Sequence, residues 1–196
     1  MAKNKIGILF SGGLESTSLL NNYKKLNYNI IPLYIIYGYK WEETELIYAK
    51  KIAKFYNLNL NIIDYTNILN ITQLGEVKSV KDNIIPLRNL SLLTFASLYF
   101  FKQNIYKIAI GLQGIEQYPD TSIDYIKNCE KLIQLGLENN SFKIEMPFYG
   151  QTKEEIYFNN QDIPLELIFS CTNPVKNKRC HKCYKCLVLN KLTKSV

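Results

Sequence analysis

Lys5-Ile6-Gly7-Ile8-Leu9-Phe10-Ser11-Gly12-Gly13-Leu14-Glu15-Ser16-Thr17 is the stretch that decides the fold. A short apolar run stops at two consecutive glycines, and residues 17–25 then carry about two turns of helical pattern. Strand, glycine turn and helix open a βα unit. The alternation continues outward from there. Residues 29–37 form a second apolar run, closed by Gly38, and residues 41–56 set Leu46, Ala49, Ile52, Ala53 and Tyr56 at helical spacing. Residues 58–65 resume a strand pattern, 90–101 read as a buried helix, 106–110 as a strand ending at Gly111, and 121–137 as another helix. Short strands alternating with helices predict an α/β fold: a doubly wound, mostly parallel, Rossmann-like sheet covered on both faces. Ligands of such sheets sit beyond the carboxyl ends of the strands. Residues 11–16, 37–40 and 111–120 are therefore the places to look.

The turn itself has anion-binding chemistry. Paired glycines admit positive φ and close approach of a ligand, and the free amides at the helix start face an anion. Ser11, Ser16 and Thr17 add hydroxyl donors. The spacing is not that of the Gly-x-x-x-x-Gly-Lys phosphate loop, and no Gly-x-Gly-x-x-Gly fingerprint occurs. A serine-capped strand-to-helix turn without a ligand accounts for the same residues, so geometry alone leaves both readings open.

With 196 residues, the chain suits one mid-sized core, read as a single domain over 1–196. Its 47% apolar and 21% charged content excludes a disordered or collagen-like chain. The formal charge of +7 is unevenly spread. Lys176, Lys178, Arg179, Lys182, Lys185, Lys191 and Lys194 lie in residues 171–196 with no acid, and the rest of the chain is neutral. No apolar stretch approaches the roughly 20 residues of a spanning helix, and no export signal is recognised at the start. A cytoplasmic, reducing setting is expected, with no membrane partner. One histidine, His181, argues against a His-based triad. Arg88 and Arg179 are the two arginines in a lysine-dominated chain, and Arg88, beside a proline and ahead of a buried helix, reads as an anion contact.

Cys171, Cys180, Cys183 and Cys186 occupy 16 residues as one cysteine followed by two Cys-x-x-Cys steps that share Cys183. Such spacing lets four thiolates wrap one tetrahedral ion, and structural zinc is the favoured reading of a C-terminal segment spanning about 165–196. An iron–sulfur cluster and a redox-active thiol pair are its rivals. His181 reads as a solvated loop residue and Cys129 as a small buried one. Four thiolates and one dication carry −2, so the metal-loaded chain would stand near +5, its basic tail wrapped around an anionic centre.

Ser11-Gly12-Gly13-Leu14-Glu15-Ser16 resembles the Ser-Gly-Gly-x-Asp-Ser loop of the PP-loop (HUP-like) ATP pyrophosphatases, with Glu15 where that family has aspartate. Together with the four-cysteine knot, it is similar to one branch, the 7-cyano-7-deazaguanine synthases or QueC enzymes. The likeness covers almost the whole chain: Tyr37-Gly38, Glu45-Leu46, Ala49 and Ile52-Ala53; Ile85-Pro86-Leu87-Arg88-Asn89; Gly111; Tyr118-Pro119-Asp120; Pro147; Lys153 with Glu155-Ile156; and Ser170-Cys171. The resemblance implies ATP binding by Phe10, Ser11, Gly12, Gly13, Leu14, Glu15, Ser16 and Thr17. It implies deazaguanine binding by Arg88, Asn89, Tyr118 and Asp120, a pyrophosphate contact from Lys153, and zinc on the four cysteines. Plainer roles stand beside these: Asp120 as the cap of a helix starting near Ser122, Lys153 as a solvated helix-start residue, Tyr37, Tyr39 and Tyr118 as half core, and Trp41 as packing.

The implied reaction adenylates 7-carboxy-7-deazaguanine with Mg-ATP, uses ammonia to make the amide, and adenylates again to reach the nitrile. No general base is evident, so the catalytic residues stay unassigned. Two alternatives remain: a diverged relative, for example in phage or antiphage defence, that stops at the amide or joins the deazaguanine to another amine, such as one on a protein acceptor; and a zinc module that binds nucleic acid. The small body and the local charge count favour a nucleotide over nucleic acid as partner, and family likeness suggests a homodimer.

Overall fold

The computed structural model describes residues 4–66, 85, 87–114 and 118–194. β1 (Lys5–Leu9), β2 (Asn29–Ile36), β3 (Asn61–Asp64), β4 (Lys107–Ala109) and β5 (Lys143–Glu145) form one sheet in the order β3-β2-β1-β4-β5. Every pairing is parallel. The helices are α1 (Leu14–Lys25), α2 (Glu42–Phe55), α3 (Arg88–Phe101), α4 (Ile123–Gly136), α5 (Lys153–Phe158) and α6 (Tyr184–Lys194).

Strand alternation sorts them onto two faces. Ile6, Ile8 and Phe10 point to one face, where Leu19 and Leu20 of α1, Ala49 and Ile52 of α2, Ile156 of α5 and Leu189 and Leu192 of α6 close over them. Leu9, Leu33 and Ile35 point to the other, against Leu93, Ala96 and Phe100 of α3 and Ile126 of α4. Each fully buried side chain of this size contributes about 1.5–3 kcal/mol, which is what holds helices to both sides of the sheet. This is the doubly wound arrangement expected. The chain steps outward from β1 to β3 and then returns to β4 on the far side of β1. Strand order therefore reverses between β1 and β4, where ligands of this architecture bind.

Several boundaries differ from the sequence reading for local reasons. α1 starts at Leu14 and not at Thr17, because Gly13 is its N-cap and accepts the first helical bond from the Thr17 N–H at 3.0 Å. Only residues 61–64 of the expected 58–65 strand pair, since Asn57 turns left-handed (φ 57°) and the Leu58 N–H folds back to the Ala53 carbonyl at 2.8 Å, ending α2. α3 begins at Arg88. Ser122, not Asp120, caps α4: its side chain accepts from the Tyr125 N–H at 3.2 Å. β5 and α6 had no counterpart in the sequence reading, and α5 had only its start, at Lys153. Among the described residues no helix is long and apolar enough to cross a membrane.

Candidate functional site

The loop after β1 is drawn together by its own hydroxyls. Ser16 Oγ accepts the Ser11 N–H at 3.3 Å and donates to the Gly13 carbonyl at 3.3 Å, while Ser11 Oγ accepts the Gly13 N–H at 3.4 Å. Gly12 needs to be glycine twice over: its φ is +78°, and a Cβ there would lie 3.1 Å from Ala49 Cα in α2. Across the switch point, a Cβ on Gly111 would lie 2.9 Å from Glu15 Cβ and 3.3 Å from the Ser16 nitrogen, so the end of β4 runs directly beside the start of α1. Thr17 Oγ1 and Ser18 Oγ are buried with no hydrogen-bond partner among the described residues.

Glu15, the residue that departs from the family loop, forms an ion pair with Lys153 at the start of α5, Oε1 to Nζ 2.7 Å. Burial pushes the Glu15 carboxyl up, but the Lys153 ammonium outweighs it and leaves Glu15 below its ordinary value. Burial pulls Lys153 down, and Glu15 more than offsets this, leaving it above its own ordinary value. Lys153 is thus half-buried at the loop and charged, not a freely solvated helix-start residue.

A second charged group lies at the end of β2. The Glu42 carboxylate closes the β2–α2 turn by accepting the N–H groups of Tyr37 (3.0 Å), Gly38 (2.6 Å) and Tyr39 (2.9 Å). Glu45 accepts from the Tyr34 hydroxyl at 2.7 Å, and burial raises its carboxyl above the ordinary range. Arg88, the first residue of α3, faces these carboxylates, and its buried Nε has no hydrogen-bond partner among the described residues. It is not a surface cation. The aromatic residues here are core: Tyr37, Tyr39 and Trp41 are buried, and Trp41 stacks on Tyr39 with centroids 4.9 Å apart. Asn89 joins this corner to the loop after β4, donating its N–H to Asp120 Oδ2 and its side-chain amide to the Asp120 carbonyl, both at 3.2 Å. Tyr118 lies within electrostatic reach of Lys153. Pro86 falls outside the described residues.

The four cysteines converge, with all sulfurs within 4.8 Å of one another. Cys180 and Cys186 are 3.9 Å apart, Cys171 and Cys183 4.0 Å. The N–H groups of Cys180 and Cys183 point at the sulfurs of Cys171 and Cys180 at 3.3 Å. A left-handed turn at Lys176 and Asn177 pairs Val175 with Lys178. His181 is exposed and Cys129 buried away from the cluster, as expected of both. The cluster could hold a metal ion. It also abuts the glycine turn: the Phe169 N–H donates to the Gly12 carbonyl at 3.2 Å, Phe169 stacks on Tyr48 of α2, and Thr44 donates to Asn177 Oδ1 at 3.3 Å.

The candidate residues 10–17, Lys153, Arg88, Asn89, Tyr118 and Asp120 therefore gather along the carboxyl edge of the sheet, with the cysteine cluster beside them. Sequence reasoning missed Glu42 and Glu45 as parts of this edge, and it took Lys185 only as one of five cations, with Lys176, Lys178, Arg179 and Lys182, that offset the charge of a metal centre and attract ATP or an acidic substrate. Gly38, with φ +94°, followed four residues later by an acid, was the signal available for Glu42. Lys185 sits between two of the clustered cysteines in sequence, and nothing there says which way it points.

Solved structures of low identity share this fold. A U34-tRNA thiolase NcsA from Methanococcus maripaludis superposes with a TM-score of 0.56 at 20% identity, covering 98% of this chain and 66% of that one. A 4-thiouridine synthetase determined with RNA and bound ATP gives 0.59 at 16%, covering 98% and 50%. Relatives in sequence are nearer. A 7-cyano-7-deazaguanine synthase 1 from Desulfitobacterium hafniense is 34% identical over 95% of this chain and 90% of its own length. A 7-cyano-7-deazaguanine synthase from Picrophilus torridus is 32% identical over 92% and 83%. The family model described as queuosine biosynthesis protein QueC matches residues 5–194, nearly end to end, and the chain belongs to the QueC family.

Proposed function

We propose that the chain is an ATP-dependent 7-cyano-7-deazaguanine synthase. The observation that carries this reading is the gathering of an anion-ready loop, Lys153 and an Arg88 Nε with no partner among the described residues at the switch point of a QueC-family sheet. The α1 amides and the Ser11 and Ser16 hydroxyls take the triphosphate, and Lys153 turns from Glu15 to the pyrophosphate. Mg²⁺ would come with the triphosphate and offset its charge, and Glu15, freed from Lys153, is the loop carboxylate that would help hold it. Arg88 and the Asn89–Asp120 pair hold the deazaguanine, Asp120 through the amino-pyrimidinone edge and Arg88 through the carboxylate.

The carboxylate of 7-carboxy-7-deazaguanine then attacks the α-phosphorus, releasing pyrophosphate and forming an acyl adenylate. Ammonia displaces AMP to give the amide. The amide oxygen attacks the α-phosphorus of a second ATP, releasing a second pyrophosphate, and departure of AMP with loss of the two amide protons leaves the nitrile. Adenylation is needed because an oxide is a poor leaving group and AMP a good one. The residues contribute positioning and fixed charge at the phosphates, and none is required to carry a proton through the adenylation step.

The cysteine cluster fits zinc. Sulfurs about 2.3 Å from a tetrahedral ion lie about 3.8 Å apart, against 3.9 and 4.0 Å here. An iron–sulfur cluster, which spreads its thiolates across its own width, needs a wider mouth. Held by Cys171, Cys180, Cys183 and Cys186, zinc would cross-link the segment, with no ligand position left for substrate.

The test is incubation with ATP, 7-carboxy-7-deazaguanine and ammonia, reading pyrophosphate release and product mass. Acid-dependent release with a nitrile product is expected. No release would sink the enzyme reading, and an amide or conjugate as end product would replace the synthase with a shorter reaction.

A further inference from the structure

The cysteine cluster carries a cation that points away from it and into the site. Lys185 lies between Cys183 and Cys186 in the first turn of α6, yet its Nζ sits over the Trp41 ring, 5.9 Å from the centroid. The charged groups that act on it are Arg88, Glu45, Lys153 and Glu15, drawn from both halves of the site. Trp41 rests on Tyr39, Tyr39 lies against Tyr37, and the Tyr37 hydroxyl meets Ser91 Oγ, which in turn donates to the Arg88 carbonyl. This ladder fixes the spacing between Lys185 and Arg88.

Among the described residues neither Lys185 nor Arg88 has a carboxylate within ion-pair distance, while Lys153 is paired with Glu15 and Glu45 is engaged by Tyr34. Two half-buried cations that repel each other, one with a guanidinium nitrogen unpartnered among the described residues, make a site that is short of an anion among those residues. We propose that Lys185 is an anion-binding residue at the junction of the two reactants, delivered there by the metal-bound cysteine turn. It takes an oxygen of the α-phosphate, of the substrate carboxylate, or of both as they are brought together. The chemical need is plain: the reaction must press a carboxylate against a polyphosphate, and a cation between them offsets their repulsion. Residues 171–186 are then part of the substrate site as well as a cross-link. The inference rests on the synthase reading above.

Lys185→Met keeps the apolar stem beneath Trp41 and both flanking cysteines, and Lys185→Arg keeps the charge. Metal-loaded wild type and variants would be titrated separately with Mg-ATP and with 7-carboxy-7-deazaguanine, following the fluorescence of Trp41, the single tryptophan of the chain, and assayed for pyrophosphate release. Loss of a charged hydrogen bond predicts binding weaker by about 10- to 100-fold in Lys185→Met, with partial recovery in Lys185→Arg and zinc content equal to wild type in both. Weakening toward ATP alone assigns the contact to phosphate, toward the acid alone to carboxylate, and toward both to the junction. If Lys185→Met retains zinc and matches wild type in both affinities and in turnover, the inference falls and the synthase reading stands. If wild type binds neither ligand, both fall together.

Discussion

Glu15 and Lys153 stabilise the glycine turn while both are charged, and their shifts set the range. Glu15 sits below its ordinary 4.5 in the folded state, so its contribution is present above that value and is lost as pH falls through the lower folded one. Lys153 sits above its ordinary 10.5, so its contribution is complete below that value and is lost as pH rises through the higher one. For a half-buried pair, Lys153→Met is expected to cost about 1–2 kcal/mol at pH 7. The gap should close as the pH falls below 4.5, where Glu15 takes up a proton in the variant first. Urea midpoints of the two proteins across that range check this, and a gap independent of pH would mean that Lys153 acts through packing alone. At this scale the sequence showed what loop chemistry shows: serines beside glycines, clustered thiols, an arginine in a lysine-rich chain. Lys185 was not legible, because its direction is set by where Trp41 lies, and Trp41, stacked on Tyr39, is more than 100 positions away from it in the chain.

The long helices α1 to α4, which carry a clear periodic pattern, were read correctly, whereas β5, the body of α5 and α6 were not. α1 to α4 run 12 to 14 residues and bury a clear stripe. β5 is three residues long, half-buried, and held from outside itself: Glu130 accepts the Ile144 N–H at 2.6 Å, Glu145 pairs with Lys107 at 2.9 Å, and the Tyr23 hydroxyl donates to Glu145. No period-2 signal fits in that length. α5 had a signature that went unread, the Thr152-x-x-Glu155 capping box, in which Thr152 Oγ1 accepts the Glu155 N–H at 3.2 Å and Glu155 accepts the Thr152 N–H at 2.7 Å. A six-residue helix is too short to stand alone, so its cap and the burial of Ile156 and Tyr157 must hold it. Thr152→Ala is expected to cost about 1 kcal/mol and Thr152→Ser much less. Because Lys153 is the first residue of this helix, the alanine variant should also bind ATP a few-fold more weakly. Denaturation midpoints and ATP titration of the two variants separate the cap from the mere removal of a methyl group.

Over the whole molecule, the two ends of the chain meet at one place. The turn after β1 and the segment before the first cysteine share the Gly12–Phe169 hydrogen bond, and Leu189 and Leu192 of α6 lie in the same core as Ile6 and Ile8. The excess basic charge divides accordingly: Lys176, Lys178 and Lys182 are exposed around the cysteines, while Lys185 turns inward over Trp41. A count along the sequence could not make that division, since all of them sit within ten residues of one another. The arrangement predicts that metal and nucleotide are linked. Removing the metal leaves four converging thiols, Cys171, Cys183 and Cys186 of them buried, with nothing to hold them together. Chelation of the metal-loaded protein under reducing conditions is expected to lower Tm by about 10 °C. It should also weaken Mg-ATP binding by at least the factor lost in Lys185→Met, because the turn that aims Lys185 and the Phe169 contact to the glycine turn are released together. Zinc returned in stoichiometric amount should restore both. Thermal melts and Trp41 titrations on the same sample read the two effects, and a chelated protein that melts lower yet binds ATP at full strength would confine the cluster to a cross-link.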